Sequence, residues 1–283
     1  MTNKDVKLDV YQALWSMLLR RPDGVERPIE QCFEMVGAAG FDGMCIDLGV
    51  TDMASARKCR DLFTQNGLGC LLTAFVKKID DLPPVLDLAQ ELGAKFVNII
   101  GQVMPLGVDA TVPVVRRWME MADRAGVEIQ FETHRNSITN DLFATLQLLD
   151  AVPEMTVSAD LSHYLVGREI EYPPSPASQE HIRRILTRAQ SFQGRVASRQ
   201  QIQVPLAFPH NRKWVDLFLG WWETGFAMWL KQNPEKKALN FLCELGPSEY
   251  AMTGPDGYEL SDRWEESLMM KDMVQDIWKR LAA

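Results

Sequence analysis

One phrase is written four times in this chain: a helical stretch ends on a glycine and an apolar run begins at once. It reads AAGFDGMCIDL, QNGLGCLLTAF, ELGAKFVNII and RAGVEIQFE, with Gly40, Gly67, Gly93 and Gly126 at the joints. A glycine there closes a helix in the left-handed conformation, and a short apolar run after it reads as a buried strand. Repetition of helix, glycine and strand is the pattern of βα units around or along a parallel sheet. Eight apolar runs can be counted, at 11–19, 43–49, 69–76, 95–101, 127–134, 155–163, 191–198 and 239–246. Their starts lie roughly 30 residues apart, about one βαβ step. Eight amphipathic stretches accompany them, the first opened by Pro28.

A chain of 283 residues with 46% hydrophobic composition can bury a core large enough for one barrel or two ordinary domains. No low-complexity tract or Ser/Gly-rich linker divides it, which favours one domain over 1–283. Two stretches read as long loops, 165–177 (LVGREIEYPPSPA) and 199–213 (RQQIQVPLAFPHNRK), after the sixth and seventh strands. The helix that follows carries Trp214, Trp221, Trp222 and Trp229. These rings either form a homodimer contact or pack on the sheet wall. The net charge of −8 repels a phosphate backbone and argues against a nucleic-acid partner, leaving a small molecule as the expected one. No run is long and apolar enough to span a membrane, and MTNKDVKLDV lacks the basic-then-apolar profile of a secretory signal, so a cytoplasmic location is expected. The five cysteines, at 32, 45, 59, 70 and 243, are scattered singly and match neither a disulfide framework nor a zinc spacing.

The chemistry lies in four segments where an apolar run stops at a polar residue: FETHR (131–135), ADLSH (159–163), FQGRV (192–196) and CELGP (243–247). They put Glu132, Asp160, Gln193 and Glu244 at four successive strand ends. In a parallel barrel those ends converge on one mouth, where three carboxylates and an amide call for a cation between them. His134 follows Glu132 by two residues and falls on the same side of an extended strand. Asn98 and Gln102 end the fourth strand and Trp15 lies in the first; each has a core or loop-holding role as its alternative. Arg135, Arg168, Arg195 and Arg199 lie near the same rim, with surface ion pairs as the ordinary expectation for all but Arg195.

The order E-T-H, D-x-x-H, G-R-V, E-L-G-P resembles the xylose-isomerase-like TIM-barrel superfamily, the sugar isomerases and epimerases with one divalent metal at the barrel mouth. The resemblance runs through nearly the whole chain in element order and is most specific at 132–134, 160–163 and 244–247. It implies a (β/α)8 barrel and a metal held by Glu132, Asp160, the residue aligned with a family histidine, and Glu244. At that third position this chain has Gln193. An amide oxygen suits Mn²⁺ or Mg²⁺ better than Zn²⁺, with Co²⁺ and Zn²⁺ remaining as alternatives. The resemblance also implies that Glu132 and Glu244 act as acid/base groups on either side of a sugar carbon. It implies further that His163 contacts a substrate oxygen; from their own places in the sequence His134, which could instead orient Glu132, Arg195 and Asn98 are the other candidate substrate contacts.

The leading expectation is a metal-dependent isomerase or epimerase of a sugar or keto-sugar, working through an enediolate. A lyase or dehydratase on a keto-sugar or cyclic keto acid is the second reading, because the same enediolate can expel a leaving group. The superfamily's nucleases use a histidine-rich three-zinc cluster, and four histidines, at 134, 163, 181 and 210, do not build one. A non-catalytic metal- or sugar-binding barrel, or a partner subunit, is the reading that Gln193 raises.

Overall fold

Eight parallel strands close into a barrel in chain order among the described residues of the computed structural model, which are 6–282. Residues 1–5 of the N-terminal segment read above, and residue 283, lie outside them. The strands are β1 (Lys7–Ala13), β2 (Gly43–Asp47), β3 (Gly69–Val76), β4 (Val97–Gly101), β5 (Ile129–Glu132), β6 (Val157–Ala159), β7 (Ala189–Gly194) and β8 (Ala238–Cys243). β1 completes the ring against β8, from Lys7 beside Ala238 to Gln12 beside Cys243. The wrapping helices are α1 (Ile29–Ala38), α2 (Met53–Lys58), α3 (Arg60–Gln65), α4 (Leu82–Leu92) and α5 (Val108–Ala125). They continue with α6 (Leu142–Ala151), α7 (Leu161–Gly167), α8 (Pro176–Leu186), α9 (Arg212–Gln232) and α10 (Arg263–Ala282). The molecule is a single-domain (β/α)8 barrel.

The strands read as continuous apolar runs because both faces are covered. Alternate side chains go to different cores. Val10, Met44, Leu72, Val97 and Phe241 pack outward under the helices. Tyr11, Ala13, Cys45, Leu71, Phe96 and Leu242 pack with Trp15 in the barrel interior. The Tyr11 ring crosses the floor so closely that a Cβ on Gly43 would collide with it, and a Cβ on Gly69 would lie 2.7 Å from its hydroxyl. The repeated helix ends are as expected: Gly93 closes α4 with φ 64° and Gly126 closes α5 with φ 66°.

Two expectations are corrected, and one pair of alternatives is decided for the rings it concerns. The first strand is not 11–19: β1 begins at Lys7, and Trp15–Met17 form a buried 3-10 turn. Lys7 and Asp9 break the apolar signal at the true start, while the buried turn prolongs it beyond the true end. The sixth strand ends at Ala159, and the stretch read as a loop from 165 begins inside α7. Asp160 caps that helix, its carboxylate accepting from Ser162 N at 2.9 Å. The tryptophan-rich helix α9 offers no free aromatic face, since Trp214, Trp221, Trp222 and Trp229 are all buried within the chain. Trp222 packs edge-on against Phe241 at 5.1 Å, and Trp221 and Trp229 donate to Gln179 and Gln190. Of the two readings of these rings, packing on the barrel wall is the one observed. All five cysteines are buried and unpaired, and no helix among the described residues is long and apolar enough to cross a membrane.

Candidate active site at the barrel mouth

The C-terminal ends of β5 to β8 bring the four segments together. Glu132 is the last residue of β5, Asp160 follows β6, Gln193 is next to last in β7, and Glu244 follows β8. Register fixes their heights: Glu132 pairs with Ser158, Gln193 with Leu242, and Glu244 N donates to Gly194 O at 3.0 Å. One oxygen each of Glu132, Asp160 and Glu244 lies within 4.8 Å of the others, and all three residues are buried. A second group at the same spacing joins Glu132 to His134 and His163. A mouth cavity of about 590 Å³ opens above, bordered by Trp15, Asp47, Phe75, His134, Arg195 and Glu244.

Each carboxylate is oriented from below or behind. Asn98, buried on β4, donates to Glu132 Oε2 and, at 3.3 Å, to Thr73 Oγ1. It therefore sits beneath Glu132 and borders the interior of the barrel instead of the mouth cavity. Gln102 donates to the Asn136 carbonyl at 3.2 Å. Gln193 donates to Ser158 Oγ at 3.0 Å and to Glu132 Oε2 at 3.5 Å. Trp15 Nε1 donates to Glu244 Oε1 at 3.3 Å. Asp160 Oδ1 is held by the backbone and hydroxyl of Ser162.

Arg195 lies inside this cluster, 1% exposed. Its Nε donates to Asp160 Oδ2 at 3.2 Å, and its Nη2 stands 3.1 Å from Glu244 Oε2 as an ion pair without hydrogen-bond alignment. The guanidinium stacks over Tyr250 at 4.6 Å and Trp15 at 5.8 Å. Gln203 accepts from Arg195 Nη1 at 3.4 Å while clasping the backbone of Gly246. The other rim arginines behave as surface groups. Arg168 faces Asp141, Arg199 faces Glu169 and Glu171, and Arg135 donates to the Tyr250 hydroxyl.

Burial sets the protonation of the site. It is the largest influence raising Glu132 well above the carboxylate range, with the negative charges of Glu244 and Asp160 adding to it. Burial also pushes Glu244 up to about 7, opposed by Arg195. Asp47 is raised by burial to about 6. His134, whose Nδ1 donates to the Arg135 carbonyl, is lowered by burial to about 4. His163, its ring 4.2 Å from that of His134, is held well below its ordinary value by burial, His134 and Arg195. Both imidazoles are therefore neutral near pH 7.

These residues fit a hard divalent cation. Glu132 Oε1 and Gln193 Oε1 are buried with no hydrogen-bond partner among the described residues, and Glu244 Oε2 has only its ion pair. Unpartnered buried oxygens are costly, and a cation satisfies several at once. The Gln193 amide presents its N–H to Glu132 in this arrangement; a half-turn about its last bond exchanges nitrogen for oxygen. The donor set is then entirely oxygen, the preference of Mg²⁺ and Mn²⁺.

Asp47, Phe75, Tyr250 and Gln203 were not among the residues singled out in the sequence. Asp47 had a usable signal, because CIDLG ends an apolar run at an acid just as the four segments do. Tyr250 and Gln203 lie in irregular segments with no periodicity to mark them.

By sequence the chain matches no family model and no curated protein. By structure it is similar to a xylose isomerase-like TIM barrel protein from Mycobacterium smegmatis in complex with magnesium. That match has 14% identity, covers 100% of both chains and has a TM-score of 0.65. D-allulose 3-epimerase from Methylomonas sp. matches at 14% identity over 98% of this chain and 100% of that one, TM-score 0.60. The probable 3-DHS dehydratase AsbF from Bacillus anthracis matches at 12% identity over 95% and 98%, TM-score 0.55. The fold is that of the xylose isomerase-like TIM barrels.

Proposed function

We propose that this chain is a divalent-metal-dependent isomerase or epimerase of a sugar or keto-sugar. The observation that carries the reading is the buried cluster of Glu132, Asp160 and Glu244 at successive strand ends, with unpartnered oxygens on Glu132 and on the neighbouring Gln193. Glu132, Asp160, Gln193 and Glu244 would hold the cation, Mn²⁺ or Mg²⁺ before Co²⁺ or Zn²⁺. A cation bound there supplies Lewis-acid stabilisation for the negative charge of an enediolate.

The chain's own groups do the proton work. Glu244, with Trp15 Nε1 at one oxygen and Arg195 beside the other, is one acid/base group. Glu132 is its counterpart across the site, oriented by Asn98. One carboxylate takes the proton beside the carbonyl and the other returns it, to the opposite face in an epimerisation. The neutral imidazoles of His134 and His163 are suited to hydrogen-bond a substrate hydroxyl or carbonyl, and the Trp15 and Tyr250 rings give the sugar an apolar wall. Similarity to a D-allulose 3-epimerase supports this reading. The similar dehydratase keeps elimination as the second one.

The test is a panel of ketopentoses and ketohexoses incubated with the protein and Mn²⁺ or Mg²⁺ and followed by proton NMR in D₂O. Solvent deuterium appears at the carbon beside the carbonyl in an isomerised or epimerised product of unchanged composition. Loss of turnover on chelation and in Glu244→Gln is expected. Products lighter by a water move the assignment to a dehydratase, and full activity in Glu244→Gln removes that residue's role.

A further inference from the structure

Three of the four carboxylate oxygens of Asp160 and Glu244 accept a hydrogen bond, and the fourth, Glu244 Oε2, has an ion pair alone. Asp160 Oδ1 faces Ser162 and Glu244 Oε1 faces Trp15 Nε1 at 3.3 Å. The remaining oxygen of each faces the same guanidinium, at 3.2 and 3.1 Å. Glu132 differs, with Oε1 unpartnered. Arg195 is also held from its other sides by the Tyr250 ring and by Gln203. With all three carboxylates ionised, as a bound cation would have them, three negative charges and one guanidinium leave two, the amount a divalent cation neutralises.

We propose that Arg195 is a resident cation that presets the affinity of the candidate metal centre: it holds Asp160 and Glu244 in position without a metal and competes with the incoming ion for both. This rests on the metal-dependent reading above and adds a positioning residue to it. Arg195 and a divalent ion repel one another across shared carboxylates that are buried at the foot of the mouth cavity, where charge interactions are stronger than in bulk water. The same pairing keeps the buried carboxylates from standing uncompensated before the ion arrives. The two effects have opposite signs. Removing the guanidinium destabilises the metal-free barrel and strengthens metal binding, whereas a residue needed only for packing would weaken both.

The experiment is a Mn²⁺ titration of the full chain and of Arg195→Met, with free Mn²⁺ read by electron paramagnetic resonance and thermal melts recorded with and without the ion. The expected result is an Arg195→Met protein that melts lower without metal, binds Mn²⁺ at least tenfold more tightly, and gains more in melting temperature from Mn²⁺. Arg195→Lys keeps a charge but not the two-carboxylate reach, so it should bind with intermediate affinity; it carries the test should the methionine variant fail to fold. If both proteins bind Mn²⁺ equally, or the variant binds less, the inference falls and the metal-dependent reading stands. Binding by the variant alone supports the inference and removes metal dependence from the natural chain. Binding by neither overturns both.

Discussion

The raised carboxyl of Glu244 makes the metal-free barrel less stable as the pH rises. Its value goes from 4.5 to about 7 on folding, chiefly through burial. A group whose folded value is raised contributes stability that is fully present below about 4.5 and lost as pH climbs through about 7. At about 1.4 kcal/mol per pH unit the loss is about 3 kcal/mol. Urea unfolding in a chelator at pH 5 and pH 8 measures it, with Glu244→Gln as the comparison, because glutamine keeps the shape and cannot ionise. With a slope of about 3 kcal/mol per molar urea, the natural chain should lose about 1 M more in midpoint than the variant between the two pH values. Titration of His134, Asp47 and the surface is common to both proteins and cancels. Glu132 relaxes when its charged neighbour is removed, which widens the difference. Equal pH dependence in the two proteins would show that Glu244 ionises as it would in water, and the account of a buried, cation-seeking cluster would be wrong.

Two further outcomes follow from single contacts. Trp15→Phe keeps the ring but removes the N–H that lowers the Glu244 carboxyl, so the acidic limb of the pH–rate profile should move to higher pH by a few tenths of a unit. An unmoved limb would mean the indole packs without tuning. Gly194→Ala puts a Cβ 2.5 Å from the Phe241 ring and against Met270 Sδ, and overpacking of this kind costs about 1–3 kcal/mol. A thermal melt unchanged from the natural chain would refute so close a packing of β7 on β8 and α10.

The barrel was legible because its repeating unit is local: a glycine in left-handed conformation followed at once by an apolar strand, as at Gly93 and Gly126. The four segments that meet at the barrel mouth were legible for the same reason, each being a polar residue where an apolar run stops. What escaped was non-local. Asn98 read as a rim residue because it lies near the end of an apolar run, yet the barrel's stagger sets it under Glu132. Nothing around Arg195 in sequence says whether it reaches outward to a substrate or inward to Asp160; that is decided by Tyr250 and Gln203, which are 55 and 8 residues away. The first strand was misplaced because burial of Trp15–Met17 mimics a strand's apolarity while Lys7 and Asp9 hide the real one.

Gln193, standing where the family resemblance expects a histidine, and the buried arginine belong to one arrangement. A histidine where Gln193 stands would bring a neutral nitrogen ligand and leave the carboxylates to a metal alone. With Gln193, the amide satisfies Ser158 and Glu132 without any ion, and Arg195 satisfies Asp160 and Glu244. The metal-free site is thus largely assembled from internal partners, with Glu132 Oε1, Gln193 Oε1 and the ion-paired Glu244 Oε2 left without a hydrogen bond for a cation to claim. An ion entering such a site is bound by a difference, its gain at the unpartnered oxygens less what Arg195 gives up. That difference favours a centre that exchanges its metal readily, and it locates control of metal affinity in Arg195 as much as in the ligands themselves.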